Sequence, residues 1–321
     1  MTLGIIQTAV EVGLIYSLVA LSLYISFSIL DVCDLSTDGC YTLGCAVGAT
    51  LTIAGQPILA IPAAMLAGMA SGFVTATLQT RFGVQSILAG IIVNTGLYTI
   101  NLAVMGMSSN LSIFGTDTIF SLFRGIATAP VWQEWSTTIL LALIVGIVGL
   151  GLWWFLGTSL GLSIRATGDS PAMVRASSIN PGLMITIGLC LSNSLTGLAG
   201  CLIGQYNKTC DINLGTGMVT VALASLVIGE TIARSNKVGI DIAGVAVGSI
   251  LYRLAIAFAL RLNVPTEAFK LVSAVIVAIA IIAPQTRDLT SMVAARRAVA
   301  QLRRSESEGD VREEMSDKEA R

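Results

Sequence analysis

Histidine is absent from all 321 residues, and that absence removes much enzyme chemistry. No Ser-His or Cys-His nucleophile system can be assembled, and no H-E-x-x-H zinc motif exists. The six cysteines, Cys33, Cys40, Cys45, Cys190, Cys201 and Cys210, contain no C-x-x-C pair. Most lie in or beside apolar runs, so they read as small buried thiols, not as zinc or haem ligands. Cys210 falls near an expected outer surface, with nothing in the sequence to support a disulfide there. A Walker P-loop is also missing, since no G-x-x-x-x-G-K-[ST] occurs, and the chain cannot bind ATP by that route. Gly157-Thr158-Ser159-Leu160-Gly161 spells G-x-S-x-G, but it closes an apolar run instead of joining a strand to a helix, and chance explains it. No basic patch interleaved with aromatics is present, so nucleic acid is not an expected partner. The expectation is a non-enzyme without metal or cofactor.

Charge is scarce too. Asp, Glu, Lys and Arg make up 12% of the chain and hydrophobic residues 54%, with a mean hydropathy of +0.83. Soluble domains carry about 25% charged residues, so this composition defines an all-α, polytopic membrane protein. Eight of the 18 Lys and Arg, and eight of the 19 Asp and Glu, follow Pro284. Residues 1–284 are therefore read as the transmembrane domain and 285–321 as a charged cytoplasmic tail, a surface helix fading into disorder. The first apolar run lacks a basic n-region and is long enough to span, so it is retained as the first helix.

A span needs about 20 apolar residues. Nine runs qualify: 4–30, 39–55, 58–79, 84–106, 137–157, 183–205, 214–230, 239–260 and 267–284. The range of eight to ten allows for one missed near 112–131. The second and seventh are short and rich in Gly, Ser and Thr, as broken or re-entrant helices are. With 163–181 placed in the cytoplasm, the N-terminus lies outside and 13 of the 18 Lys and Arg lie inside, as the positive-inside rule prefers. Val32-Cys33-Asp34-Leu35-Ser36-Thr37-Asp38-Gly39 after the first run is echoed by Thr209-Cys210-Asp211-Ile212-Asn213-Leu214-Gly215 after the sixth. An offset of five crossings makes such a repeat inverted.

Candidate functional residues fall into two groups. Asp34, Ser36, Asp38, Asp211 and Asn213 place carboxylates and amides beside the short helices, as at a transport pathway. They serve equally as helix caps, and the two readings can coexist. Asn94, Asn101, Asn193 and Gln205 stand alone within apolar runs, where interhelical hydrogen bonding and solute contact are both open. Of these, Asn94 and Asn193 join the pathway set. Arg253 needs a partner, with Glu230 and Asp241 as candidates, and Glu11 is tolerable near the interface. Gly68 with Gly72, Gly146 through Gly151, and Gly197 with Gly200 permit close helix packing. Between two apolar runs, the polar stretch Ser163–Pro181 reads as one capped amphipathic helix. Asp169 or Ser170 would be its N-cap, Pro171 its first turn and Asn180-Pro181 its stop. It either docks a partner through Met173, Val174 and Ile179 or lies on the lipid surface.

Four elements in order resemble the branched-chain amino acid and ribose permease group of ABC importers. They are Asp34-Leu35-Ser36, the stretch Ile164–Asn180, Leu195-Thr196-Gly197-Leu198-Ala199-Gly200, and Ala222-Leu223-Ala224-Ser225-Leu226-Val227-Ile228-Gly229. Permeases paired with tryptophan- or tyrosine-type binding lipoproteins are the nearest by this resemblance. Two departures stand out: Ser178 replaces a usual Gly, which should alter the coupling helix little, and Glu230 stands where a second Gly is common, unsettling the loop 229–238. The resemblance implies a permease of the bacterial cytoplasmic membrane that moves a small polar solute, with an amino acid, aromatic ones included, as the leading class and sugar or nucleoside left open. It also implies a second permease copy, an extracytoplasmic binding protein, and cytoplasmic ATPases that grip the polar stretch through Arg165, Asp169, Ser170, Met173, Arg175 and Ile179. An ion-coupled secondary transporter is the alternative, since the acids near the echo suit it equally.

Overall fold

The computed structural model describes residues 3–126, 130–233, 237–261, 275 and 278. The apolar run 267–284 and the tail 285–321 lie outside these residues, Val275 and Ala278 excepted. The chain divides at Val277/Ala278 into two units, and the elements between residues 3 and 261 all lie in the first.

Apolar sequence with few breaks gives helices nearly throughout. The elements are α1 (Leu3–Leu23) continued by a π turn (Tyr24–Ile29), α2 (Thr37–Ile53), α3 (Pro57–Thr80), α4 (Ser86–Val104), α5 (Ile119–Ile126) and α6 (Pro130–Leu156), then α7 (Ser159–Asp169), α8 (Pro171–Ala176), α9 (Pro181–Asn207), α10 (Met218–Ala233) and α11 (Val238–Arg261). Proline at the first turn starts α3, α8 and α9, where its missing N–H costs nothing. Left-handed Lys208 closes α9, and left-handed Asp31 follows the π turn. A short antiparallel ribbon, β1 (Asn110–Ser112) with β2 (Thr209–Asp211), joins two loops at one end of the bundle. The described stretch 112–126 therefore holds the end of the ribbon and a short helix instead of a further span.

Six helices among the described residues are long and apolar enough to cross a bilayer: Gly4–Ile29, Pro57–Thr80, Ser86–Val104, Trp135–Leu156, Pro181–Asn207 and Val238–Ala259. The α1 and α9 spans are mostly buried, whereas the other four are buried over less than half of their residues. Helices α1 and α9 cross antiparallel. Ser22 Oγ lies 2.9 Å from Ser192 Oγ and 2.7 Å from Thr196 Oγ1, Glu11 meets Tyr206, and Leu30 rests on Gly188. Each hydroxyl pair spares a polar atom from hydrocarbon.

The remaining packing is reciprocal. Helix α2 runs alongside α9 in the same direction, pairing Cys40 with Asn193, Gly44 with Gly197 and Gly48 with Cys201. Helix α3 runs against α9, with Gly68 on the Asn193 carbonyl and Gly72 on that of Leu189. In the other half, α11 runs against α1 (Ser249 Oγ donates to the Gly13 carbonyl at 2.8 Å), and α10 runs against α11 through Gly229, Gly244 and Gly248. Thus α1-α2-α3 corresponds to α9-α10-α11, each first helix holding the second and third helices of the other set. Because α1 and α9 are antiparallel, the correspondence is that of an inverted repeat. The echo in the sequence carries the same local turn twice: Asp34 Oδ1 accepts from Ser36 N, and Asp211 Oδ1 accepts from Asn213 N, both at 2.8 Å.

Several expectations change. The glycines at 146–151 lie largely in open space, with only Gly149 near a neighbouring side chain, so they do not serve helix packing as Gly68, Gly72, Gly197 and Gly200 do. Cys210 is fully buried and free, not a surface thiol. Arg253 lies over the Tyr16 ring at 5.2 Å, whereas Glu230 and Asp241 bond near the opposite end of α1. Glu11 is buried and accepts from Thr138 Oγ1 at 2.7 Å and Tyr206 OH at 2.9 Å, tying α1 to α6 and α9.

Candidate transport pathway and coupling surface

The second and seventh apolar runs are unbroken helices that begin inside the bundle. Asn193, beside the start of α2, lies about 18 Å along α9 from Pro181 at 1.5 Å per residue, near the middle of a helix about 40 Å long. From that depth α2 runs toward the ribbon end. Helix α10 begins beside it and runs the other way, since it is antiparallel to α11 and so parallel to α1. The broken-helix reading of both runs thus takes a definite form, and the re-entrant one does not hold: two half-helices start near mid-depth and leave by opposite ends, each carrying the chain from one end of the bundle to the other.

Their N-termini meet on one carboxylate. Asp38, in the first turn of α2, accepts from Gly217 N at 3.0 Å and Val219 N at 2.9 Å at the start of α10. Thr42 Oγ1 accepts from Gly215 N at 3.1 Å. An acid at such a junction satisfies backbone donors that hydrocarbon cannot, and both helix dipoles favour its charge. Asn94 of α4 lies against the neighbouring Gly39 and, like Asp38, is only partly buried.

Behind this junction lies a closed polar knot. Asp34 is 1% exposed and accepts from Ser36 N (2.8 Å), Ser36 Oγ (2.6 Å) and Asn193 Nδ2 (2.7 Å). Thr75 Oγ1 of α3 donates to Ser36 Oγ at 3.3 Å. The knot fastens the loop before α2 to α3 and α9. Of the sequence-selected residues, Asp34, Ser36 and Asn193 are brought together, and Asp38 and Asn94 both border Gly39. Asp211 and Asn213 sit apart at the ribbon, forming their own turn. Asn101 and Gln205 brace the bundle: Asn101 Nδ2 donates to the Gly39 carbonyl, while Gln205 accepts from Ile119 N and donates to the Pro57 carbonyl. Thr42 and Thr75 are missed by sequence reasoning because threonine is ordinary in apolar helices, and only the fold brings them to these partners.

The polar stretch between α6 and α9 is not one helix. It forms α7 and α8, separated at Ser170, whose extended backbone breaks the ladder before Pro171. Ser170 is the N-cap of α8, accepting from Met173 N at 3.4 Å, and Asn180 caps the following α9, accepting from Gly182 N at 3.0 Å. Asp169, Met173 and Arg175 are exposed, Met173 at 69%. Val174 turns inward, and Ile179 packs with Leu30, Ile164 and Met184, so neither presents a free apolar surface to a partner. Arg165 is half-buried beside Tyr24 and Asp241. Ser178 adopts φ 62°, the left-handed region where the usual glycine is at ease, so that departure strains the backbone instead of being neutral. Glu230 lies within α10 and does not disturb its helix.

An inverted pair of helical repeats, half-helices meeting at mid-depth and a capped polar loop at one end define a multi-pass membrane transport protein. Residues 5–281 match the branched-chain amino acid transport system permease component family. The chain belongs to that family, and it is a multi-pass protein of the bacterial cytoplasmic membrane. It is 36% identical to the tyrosine transport system permease protein of Clostridioides difficile (strain R20291), over 85% of this chain and 89% of that one. It is 30% identical to the ribose import permease protein RbsC of Escherichia coli (strain K12), over 70% of this chain and 67% of that one. No solved structure matches the chain.

Proposed function

We propose that the chain is the permease subunit of an ATP-driven importer and that its solute is a small polar molecule, an amino acid of aromatic type. The observation that carries this reading is the built loop α7-α8. It has a serine N-cap, an asparagine N-cap on the next helix, and exposed Asp169, Met173 and Arg175 at the inner end of the bundle. An ATP-driven importer whose permease has no nucleotide motif must receive its energy from another subunit, and this loop is the surface it offers. The likeness to a tyrosine transport permease supports the solute class.

In this reading the ATPase contacts are Asp169, Met173 and Arg175, with Ser170 shaping α8 and with Arg165 and Ile179 anchoring the loop from within. Asp38 and Asn94 border the solute route at the half-helix junction. Asp34, Ser36 and Asn193 hold that junction in place, and Asp211 and Asn213 shape its outer approach. A second permease copy completes the route, and a binding protein delivers solute from outside. ATP then shifts the population between outward- and inward-open forms through differential contacts at the loop.

The test is the double substitution Asp169→Ala with Arg175→Ala, both exposed and remote from the core. Loss of ATPase copurification, or of ATP-driven uptake, with normal membrane yield is expected. Retained uptake and assembly would remove the loop from the coupling surface.

A further inference from the structure

The inner end of α1 widens into the π turn Tyr24–Ile29, a geometry found often at working positions of helices. Four other elements converge on it. Ser28 Oγ donates to Glu230 Oε1 of α10 at 2.6 Å, and Tyr24 OH makes a longer 3.5 Å contact with Asp241 Oδ2 of α11. Arg165 of α7 lies close enough to act electrostatically on both Tyr24 and Asp241, and Glu230 acts on Tyr24 as well. Backbones meet here too. A Cβ on Gly168 of α7 would collide with the Ile29 carbonyl, and the Leu30 side chain rests on Gly188 of α9.

The geometry points to Ser28 and Glu230 as positioning residues that carry movement of the α7-α8 loop to α10 through the π turn. The inference rests on the reading of that loop as the point of energy input. Gly168 seats α7 on Ile29 with no side chain between them, so displacing the loop displaces the turn. The turn in turn cannot leave α10 without breaking the Ser28–Glu230 bond, a short charge-assisted one. Helix α10 begins beside Asp38 of α2, so the contacts run from the loop to the half-helix junction. The link is defined by what its removal does.

The experiment uses the complete complex of permease, ATPase and binding protein in proteoliposomes, with labelled tyrosine as the probe. Tyrosine moved per ATP hydrolysed is measured for Ser28→Ala, Glu230→Ala, their combination and Glu230→Gln. Ser28 is exposed, so its truncation leaves the fold intact. Each alanine variant is expected to lower the ratio at least fivefold with the ATPase still bound, and the pair no further than either alone. Glu230→Gln keeps an acceptor for Ser28 and should return the ratio to within twofold of the parent. Ratios unchanged in both single alanine variants, with the ATPase bound, would overturn the link alone. A parent chain that binds no ATPase would overturn the function reading, and the link with it.

Discussion

Replacing Asp34 separates a brace from a solute contact. Its carboxylate is buried and takes three hydrogen bonds, two from Ser36 and one from Asn193. Asp34→Ala strands Ser36 N and Asn193 Nδ2, and each buried donor left unpaired costs about 1–3 kcal/mol. Ser36 Oγ retains Thr75 as a neighbour and adds little. Polar contacts between membrane helices run toward the low end of such ranges, and removing a buried carboxylate returns part of its desolvation cost. The net expectation is a loss of about 2–3 kcal/mol. Asp34→Asn behaves differently. It keeps an oxygen for Ser36, and Asn193 can turn its amide so that its own unpartnered Oδ1 accepts the new N–H. That variant should cost about 1 kcal/mol or less. Equilibrium unfolding in mixed micelles should rank the parent first, Asp34→Asn second and Asp34→Ala last, with transport falling in the same order. An Asp34→Ala protein as stable as the parent, yet unable to transport, would refute the brace and make Asp34 a solute contact.

Ser178→Gly removes a side chain from a left-handed position and should raise stability by about 1 kcal/mol, read as a higher melting temperature; an unchanged melting temperature would mean the loop relaxes freely. Ser170→Ala deletes the cap on Met173 N, costs α8 about 1 kcal/mol, and should weaken ATPase copurification without changing membrane yield. Two glycine substitutions should diverge. Gly68→Ala drives a methyl into the Asn193 carbonyl and should cost about 1–3 kcal/mol, whereas Gly146→Ala meets open space and should be neutral or stabilising, by detergent melting.

The parts of the fold that follow from local chemistry are readable in the sequence. Long apolar runs give the six spans among the described residues, and the small-residue runs at 39–55 and 214–230 announce helices that begin within the bundle. The paired Asp turns at 34 and 211 reveal the repeat because the same hydrogen bond is needed wherever an extended segment enters a half-helix. What sequence cannot supply is which polar atoms meet. Asp34 and Asp38 are four residues apart and look alike, yet one is sealed behind the junction and the other caps α10 at its edge. Ser163–Pro181 reads as one helix because the cap of its first half, Thr158, lies outside it. The start at Ser170 is legible, as the N-cap before Pro171, but α7 is not, because it begins at Thr158 a turn before the polar stretch. The strain at Ser178 is likewise invisible until its backbone angle is known, although a serine in a glycine's place is the sign of it.

The central claim is that energy enters this chain from a separate ATPase through the α7-α8 loop. Uptake of labelled tyrosine into proteoliposomes tests it most directly, comparing the permease alone under sodium or proton gradients with the permease joined to its ATPase and binding protein. The account expects uptake only from the full complex with ATP, abolished by Asp169→Ala with Arg175→Ala. Gradient-driven uptake by the permease alone would contradict it and establish a secondary transporter instead.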